Sequence, residues 1–172
     1  MANQVTYENL FSESRNNVIA LITTTNIPDA SVSSAEFRKR VYSREPDVKS
    51  SGFQGYPCII VHPADVDIEK EKGKGSLDGK SKSIFWDVEV EILTSDRGYG
   101  SNDGNGLSDM DTYSNSLVKT FMNITNRNTL SGNSMKFSNT STTAVGNEIM
   151  NNELIYRRSI MLSFESRIQI SS

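Results

Sequence analysis

The sequence predicts an α+β fold: a mostly antiparallel sheet with two helices packed on one face and long loops between the elements. Three observations carry this. Residues 84–93 alternate strictly, with Ile84, Trp86, Val88, Val90 and Ile92 on one side and Phe85, Asp87, Glu89, Glu91 and Leu93 on the other, which is the period-2 signature of a half-buried strand. A second alternating run spans 153–170, with Leu154, Tyr156, Ile160, Leu162, Phe164, Ile168 and Ile170 on one parity, interrupted by Arg158 and Ser166. Two further stretches, 6–23 and 109–124, repeat apolar residues at three- and four-residue steps, as amphipathic helices do. Two long one-sided strands pair naturally as a sheet centre, and their apolar faces require helices to cover them.

The length of 172 residues fits one domain spanning 1–172. Hydrophobic residues make up 35% and charged residues 23%, with a formal charge of -3. That balance argues against a general nucleic-acid binder. The N-terminus shows no basic segment followed by an apolar one, so no secretory leader is expected. No apolar run approaches the length of a membrane span.

In chain order, the first helix covers about 6–23, with Leu10, Phe11, Ser14, Val18, Leu21 and Ile22 on one stripe, and Pro28 lies beyond its end. Residues 29–36 read as a loop. Residues 37–43, FRKRVYS, read as a short strand with the cations Arg38, Lys39, Arg40 and Arg44 crowded around it. Either they keep an edge strand from unwanted pairing or they meet an acidic partner. Residues 45–55 form a loop. Tyr56 to His62 is a short buried strand closed by Pro63, and 65–72 reads as an extended continuation. The glycine- and lysine-rich segment 73–83 lacks the spacing of a phosphate-binding loop. Glycines at 98, 100, 104 and 106 make 95–107 a second long loop. The second helix follows, with Met110, Tyr113, Leu117, Phe121 and Ile124 on its core face. Residues 125–152 are rich in Asn, Ser, Thr and Gly, with a short strand at 135–137 and either a turn or a short strand at 144–150. The expected core is Trp86, Val88, Val90, Tyr113, Leu117, Phe121, Leu162 and Phe164.

The residues give little sign of chemistry. His62 is the only histidine, and Cys58 is a lone cysteine inside an apolar run, suited to burial. No serine sits in a nucleophile elbow. Asp103, Asn105 and Asp109 suggest a calcium loop, but the closing position holds Ser114 where glutamate is needed. Asp65 and Asp67 share a parity without a third ligand. No catalytic residue, metal or cofactor is expected. Asp87, Glu89 and Glu91 read either as a solvated face or as an acidic surface aimed at a channel or a neighbour.

The order of elements resembles the tail terminator, or tail-completion, family of long-tailed bacteriophages. A leading amphipathic helix precedes short strands around YPCIIVHP. A long strand with Trp86 and alternating acids follows, then a helix of the DMDTYSNSLVKTFMN kind and a closing strand like YRRSIMLSFE. The resemblance spans roughly residues 7–168. It implies Pro57 to Val61 as the inner strand, Trp86 to Leu93 as the sheet centre and Arg158 to Phe164 as the last strand. It further implies a homo-hexameric ring at the virion's tail neck, assembled in the host cytoplasm. The ring's partners would be the tail tube protein and a head connector or head-completion protein. DNA would pass its lumen without specific binding, and no membrane would be involved. On that reading the long loops serve ring assembly. Asp87, Glu89 and Glu91 face the lumen or an interface, and Arg38, Arg40, Arg157 and Arg158 make subunit or partner contacts. The alternatives are another neck or tail subunit, such as a connector adaptor or tube-like protein, and an unrelated non-catalytic binding domain.

Overall fold

The computed structural model describes residues 7–24, 34–63, 65–66, 81–96, 106–131, 135–150 and 153–169. The calcium-loop positions Asp103 and Asn105, Asp67, and most of the glycine-rich segments (73–80 and 97–105) lie outside them. The two alternating runs become β4 (Ser81–Asp96) and β7 (Glu153–Gln169), which pair antiparallel from Ser81↔Gln169 to Asp96↔Leu154. Ser81 to Ser83, expected in a loop, and Ser95–Asp96 are thus strand.

The remaining strands flank this ladder. On one side β2 (Cys58–Val61) pairs antiparallel with β4, and β1 (Val41–Tyr42) pairs parallel with β2. The two-residue β3 (Asp65–Val66) also lies along β4. On the other side β5 (Lys136–Thr142) and β6 (Gly146–Met150) both run antiparallel along β7. The sheet order is β1-β2-β4-β7-β5, mixed and mostly antiparallel, which makes the chain an α+β protein.

Helices cover one face of this sheet, and four are present among the described residues where the sequence suggested two. α1 (Tyr7–Thr24) buries Leu10, Ser14, Val18, Leu21 and Ile22. The segment expected as a strand at 37–43 opens instead with α2 (Ser34–Arg38). Phe37 decides this. Its ring is buried and stacks on Tyr113 with centroids 4.3 Å apart. The backbone then turns through the bonds Lys39 N to Glu36 O and Arg40 N to Phe37 O, leaving Val41–Tyr42 for the sheet.

α3 (Gly106–Met122) starts three residues before the expected position and ends two before. It is followed by α4 (Ile124–Ser131), in a region the composition marks as loop. Asn123 makes the corner. Its side-chain oxygen accepts the Thr125 N–H at 2.9 Å, as an N-cap does, and Asn126 Nδ2 donates to the Thr120 carbonyl at the end of α3. α4 buries Leu130 and little else, so its sequence carries almost no helical periodicity.

The core lies between these helices and the even-numbered residues of β4 and β7. Trp86↔Phe164, Val88↔Leu162 and Val90↔Ile160 are cross-strand pairs, all buried. Trp86 stacks on Phe164 and meets Phe11 edge to face. Tyr113, Leu117 and Phe121 of α3 complete the cluster. The expected core residues are therefore all buried.

Candidate functional site

The opposite face of the sheet carries no helix among the described residues. At one end it is apolar. Cys58, Ile60, Leu93 and Ile155 form a second buried cluster, covered by Tyr42, Phe53, Tyr56 and Met150. Phe53 and Tyr56 come from the segment 43–57, which folds back over the sheet. Gly55 there takes a φ of 91°, a backbone conformation open to glycine.

Next to this cluster the face turns polar, and a charged row crosses four elements. Glu91 on β4 lies between His62, just past β2, and Arg157 on β7. His62 Nε2 is 3.0 Å from Glu91 Oε2, and Arg157 Nη1 is 3.0 Å from Glu91 Oε1. Arg157 Nε also binds Glu148 of β6, with Glu45 at 3.8 Å. The register explains the row. Arg157 stands opposite Leu93, one diagonal step from Glu91, within reach of a long side chain. Burial lowers the pKa of the Arg157 guanidinium, but its hydrogen bonds to Glu91 and Glu148 outweigh this and leave it raised. The arginine is a fixed cation that neutralises the largely buried Glu91 and the exposed Glu148.

Beyond the row, Glu89 accepts a hydrogen bond from Ser159 Oγ. Asp87 stands opposite Ser163 on β7 and Asp65 on β3, half-buried. It makes no side-chain hydrogen bond or ion pair to another described residue. Asp87, Glu89 and Glu91 thus share the helix-free face. They differ in environment, from the doubly paired Glu91 to Asp87.

The four arginines do not form one patch. Arg157 and Arg158 are neighbours on a strand and point to opposite faces. Arg158 lies on the helical side, with Nη1 3.3 Å from Asp111 of α3. Arg40 Nη1 donates to the Tyr56 carbonyl at 2.6 Å and ties β1 to the 43–57 segment. Arg38 ends α2. Glu91 and Arg157 meet within a single chain.

The geometry also bears on catalysis. His62 and Ser159 lie on the same face, but the Ser159 hydroxyl donates to Glu89, and His62 pairs with Glu91. Among the described residues no serine–histidine hydrogen bond forms. The Cys58 thiol is buried, and desolvation pushes its pKa up to about 12, far from the reactive thiolate range. Among the described residues no group of three acids, histidines or cysteines is placed to hold a metal ion. Among the described residues no helix is long and apolar enough to cross a membrane.

Sequence reasoning missed Glu148, because a glutamate in a polar stretch has no pattern to mark it. It also missed the joint between β4 and α3. There Asp96 Oδ1 accepts the Gly106 N–H at 2.6 Å, and Asp96 Oδ2 accepts from the Tyr156 hydroxyl at 2.8 Å. The chain matches no known protein-family model and no curated protein.

Proposed function

We propose that this chain is a non-catalytic structural subunit of a long-tailed phage, of the tail-terminator type. Six copies close into a ring that caps the completed tail tube, stops its polymerisation and joins it to the head connector. The observation that carries this reading is the one-sided sheet. All four helices contribute to the core on one face, while the other presents Asp87, Glu89 and the compensated Glu91–Arg157–Glu148 row. Such a surface suits a lumen through which DNA slides, because half-exposed acids repel a polyanion and the arginine is already occupied. The long β4–β7 ladder gives the rigidity that fixed subunit edges require. The tail tube protein and a head-completion protein are the partners, and the assembled location is the virion neck.

A second reading, a tail-tube-like subunit, draws on one feature. Among the described residues, the ladder from Ser81↔Gln169 to Ile84↔Ser166 extends beyond every flanking strand. A tube subunit uses such a ribbon to build a continuous inner barrel.

Electron microscopy of intact tails, with this chain labelled, separates the two. One six-copy ring at the head-proximal end is expected. Label repeated along the tail length would replace the terminator by the tube reading, and absence from virions would remove both. A strain lacking the protein should make tails of irregular length that fail to join heads.

A further inference from the structure

The two apolar clusters of this chain are closed in different ways. Helices cover the main core on one face of the sheet. Over Cys58, Ile60, Leu93 and Ile155 on the other face lies the segment 43–57, which contains no helix and no strand. Pro57, where the segment meets β2, is its only buried residue. The segment's own backbone bonds are local. The Ser50 N–H donates to the Asp47 carbonyl and the Phe53 N–H to the Ser50 carbonyl. Among the described residues no backbone–backbone hydrogen bond joins the segment to the sheet.

Side chains hold it down instead. The Phe53 ring lies between Tyr42 and Tyr56, with centroids 6.1 Å and 5.1 Å away. The Tyr42 hydroxyl accepts the Gln54 N–H at 2.8 Å. Arg40 donates to the Tyr56 carbonyl and Arg15 to the Ser43 carbonyl. Glu45, 69% exposed, approaches Arg157 only to 3.8 Å. Lifting the segment therefore parts no strand from its neighbour. It also leaves alone the cluster of Trp86, Val88, Leu162 and Phe164, which lies across the sheet. Regions with few buried contacts and solvent-exposed backbone bonds open at lower cost than the core.

We infer that residues 43–57 are a strap that opens as a separate unit, uncovering the apolar end of the helix-free face while the sheet and its helices stay folded. Phe53, in contact with both tyrosines, is its clasp, and the Tyr42 hydroxyl is a second fastening. Opening replaces the strap's polar outer surface by the side chains of Ile60, Leu93 and Ile155 and the Cys58 thiol. The inference does not rest on the ring reading. Cys58, the only cysteine, reports on it because the closed strap buries the thiol.

The test follows the reaction of Cys58 with an aromatic disulfide reagent at pH 8 in the full chain, across a urea series, beside global unfolding by circular dichroism. Wild type is expected to react about 100-fold more slowly than the unfolded chain. In low urea the rate should be nearly flat, because lifting a short segment exposes little surface, whereas reaction through global unfolding would rise about 10-fold or more per molar urea. Phe53→Ala is expected to speed the low-urea reaction about 10-fold, and Tyr42→Phe about 5-fold. Val88→Ala, in the main core, should lower the urea midpoint yet leave the low-urea rate unchanged, since it weakens the closed and open forms alike. A rate that climbs with global unfolding from zero urea, or one that Val88→Ala accelerates in step with its destabilisation, would overturn the strap. So would strap variants that react no faster than wild type, or a native thiol as reactive as the unfolded one.

Discussion

Trp86 Nε1 donates a hydrogen bond to Ser14 Oγ at 2.9 Å, a buried link between β4 and α1 across 72 positions of sequence. The bond fixes how α1 lies on the sheet, because the indole has one donor and the hydroxyl sits in an apolar stripe. Ser14 Oγ in turn donates to the Phe11 carbonyl. Ser14→Ala leaves the buried indole N–H without this partner, at a cost of about 1–3 kcal/mol. Trp86→Ala empties a site packed by Phe11 and Phe164 and is expected to cost about 3–5 kcal/mol. The two losses should not add, since both remove the same bond. Urea unfolding of the two single variants and the double variant checks this. An Ser14→Ala midpoint equal to wild type would exclude the bond as a stabilising link.

Gly106 opens α3 where a side chain has no room. A Cβ there would lie 2.8 Å from the Ser95 carbonyl carbon, 2.8 Å from Tyr156 Cε2 and 2.7 Å from Asp96 Oδ1. Backbone cannot yield cheaply, so Gly106→Ala is expected to destabilise by about 1–3 kcal/mol despite alanine's better helix propensity. Gly52, whose added Cβ would meet only Ser50 Oγ at 3.7 Å, provides the control. Thermal melts of Gly106→Ala and Gly52→Ala should separate clearly, and coincident melts would mean that β4 and α3 are less closely joined than this.

The sheet and its core were readable because burial is one-sided. Trp86, Val88 and Val90 announce themselves by alternation, and Tyr113, Leu117 and Phe121 by helical spacing. α2 and α4 were not readable. Each is anchored mainly by one buried apolar residue, Phe37 or Leu130, and periodicity needs several. The acidic side of β4 was legible as a row of carboxylates, but not its neutralisation. Glu91 meets His62 and Arg157 only through strand order, and Glu148 reaches Arg157 only because β6 folds beside β7. Pairing between distant strands leaves no mark in local sequence.

Arg157 stabilises the chain by joining β4, β6 and β7. Arg157→Ala would leave Glu91 half-buried with His62 as its remaining side-chain partner, and Glu148 without its cation. The expected loss is about 1–3 kcal/mol, below that of a fully buried pair because the arginine is partly solvated. Replacing Glu91 as well should cost little more, since the stranded charge is then gone. A double-mutant cycle in urea at pH 7 measures the coupling. Strictly additive losses would mean that the pair contributes nothing, leaving Arg157 available for a partner.

Cys58 makes stability fall at alkaline pH. Its thiol is buried between β2 and the 43–57 segment, and desolvation, reinforced by Glu91, raises its pKa from an ordinary 9.0 to about 12 in the folded chain. The unfolded chain therefore ionises the thiol first. Below pH 9 both states hold the proton and the contribution is complete. Between pH 9 and about 12 the unfolded state binds fewer protons, so stability drops as pH rises. Burial also raises the Tyr56 phenol, and the hydrogen bond to Asp96 raises Tyr156, so part of the alkaline slope persists without the thiol. Cys58→Ala is expected to lower stability at pH 7 through lost packing, yet to flatten the decline from pH 9 to 11. Urea midpoints at half-unit steps of pH compare the slopes directly. The same burial makes the native thiol slow toward a thiol reagent at pH 8 and fast in denaturing urea. A native reaction as fast as the denatured one, or equal alkaline slopes with and without the thiol, would show that the segment 43–57 does not seal Cys58 from water.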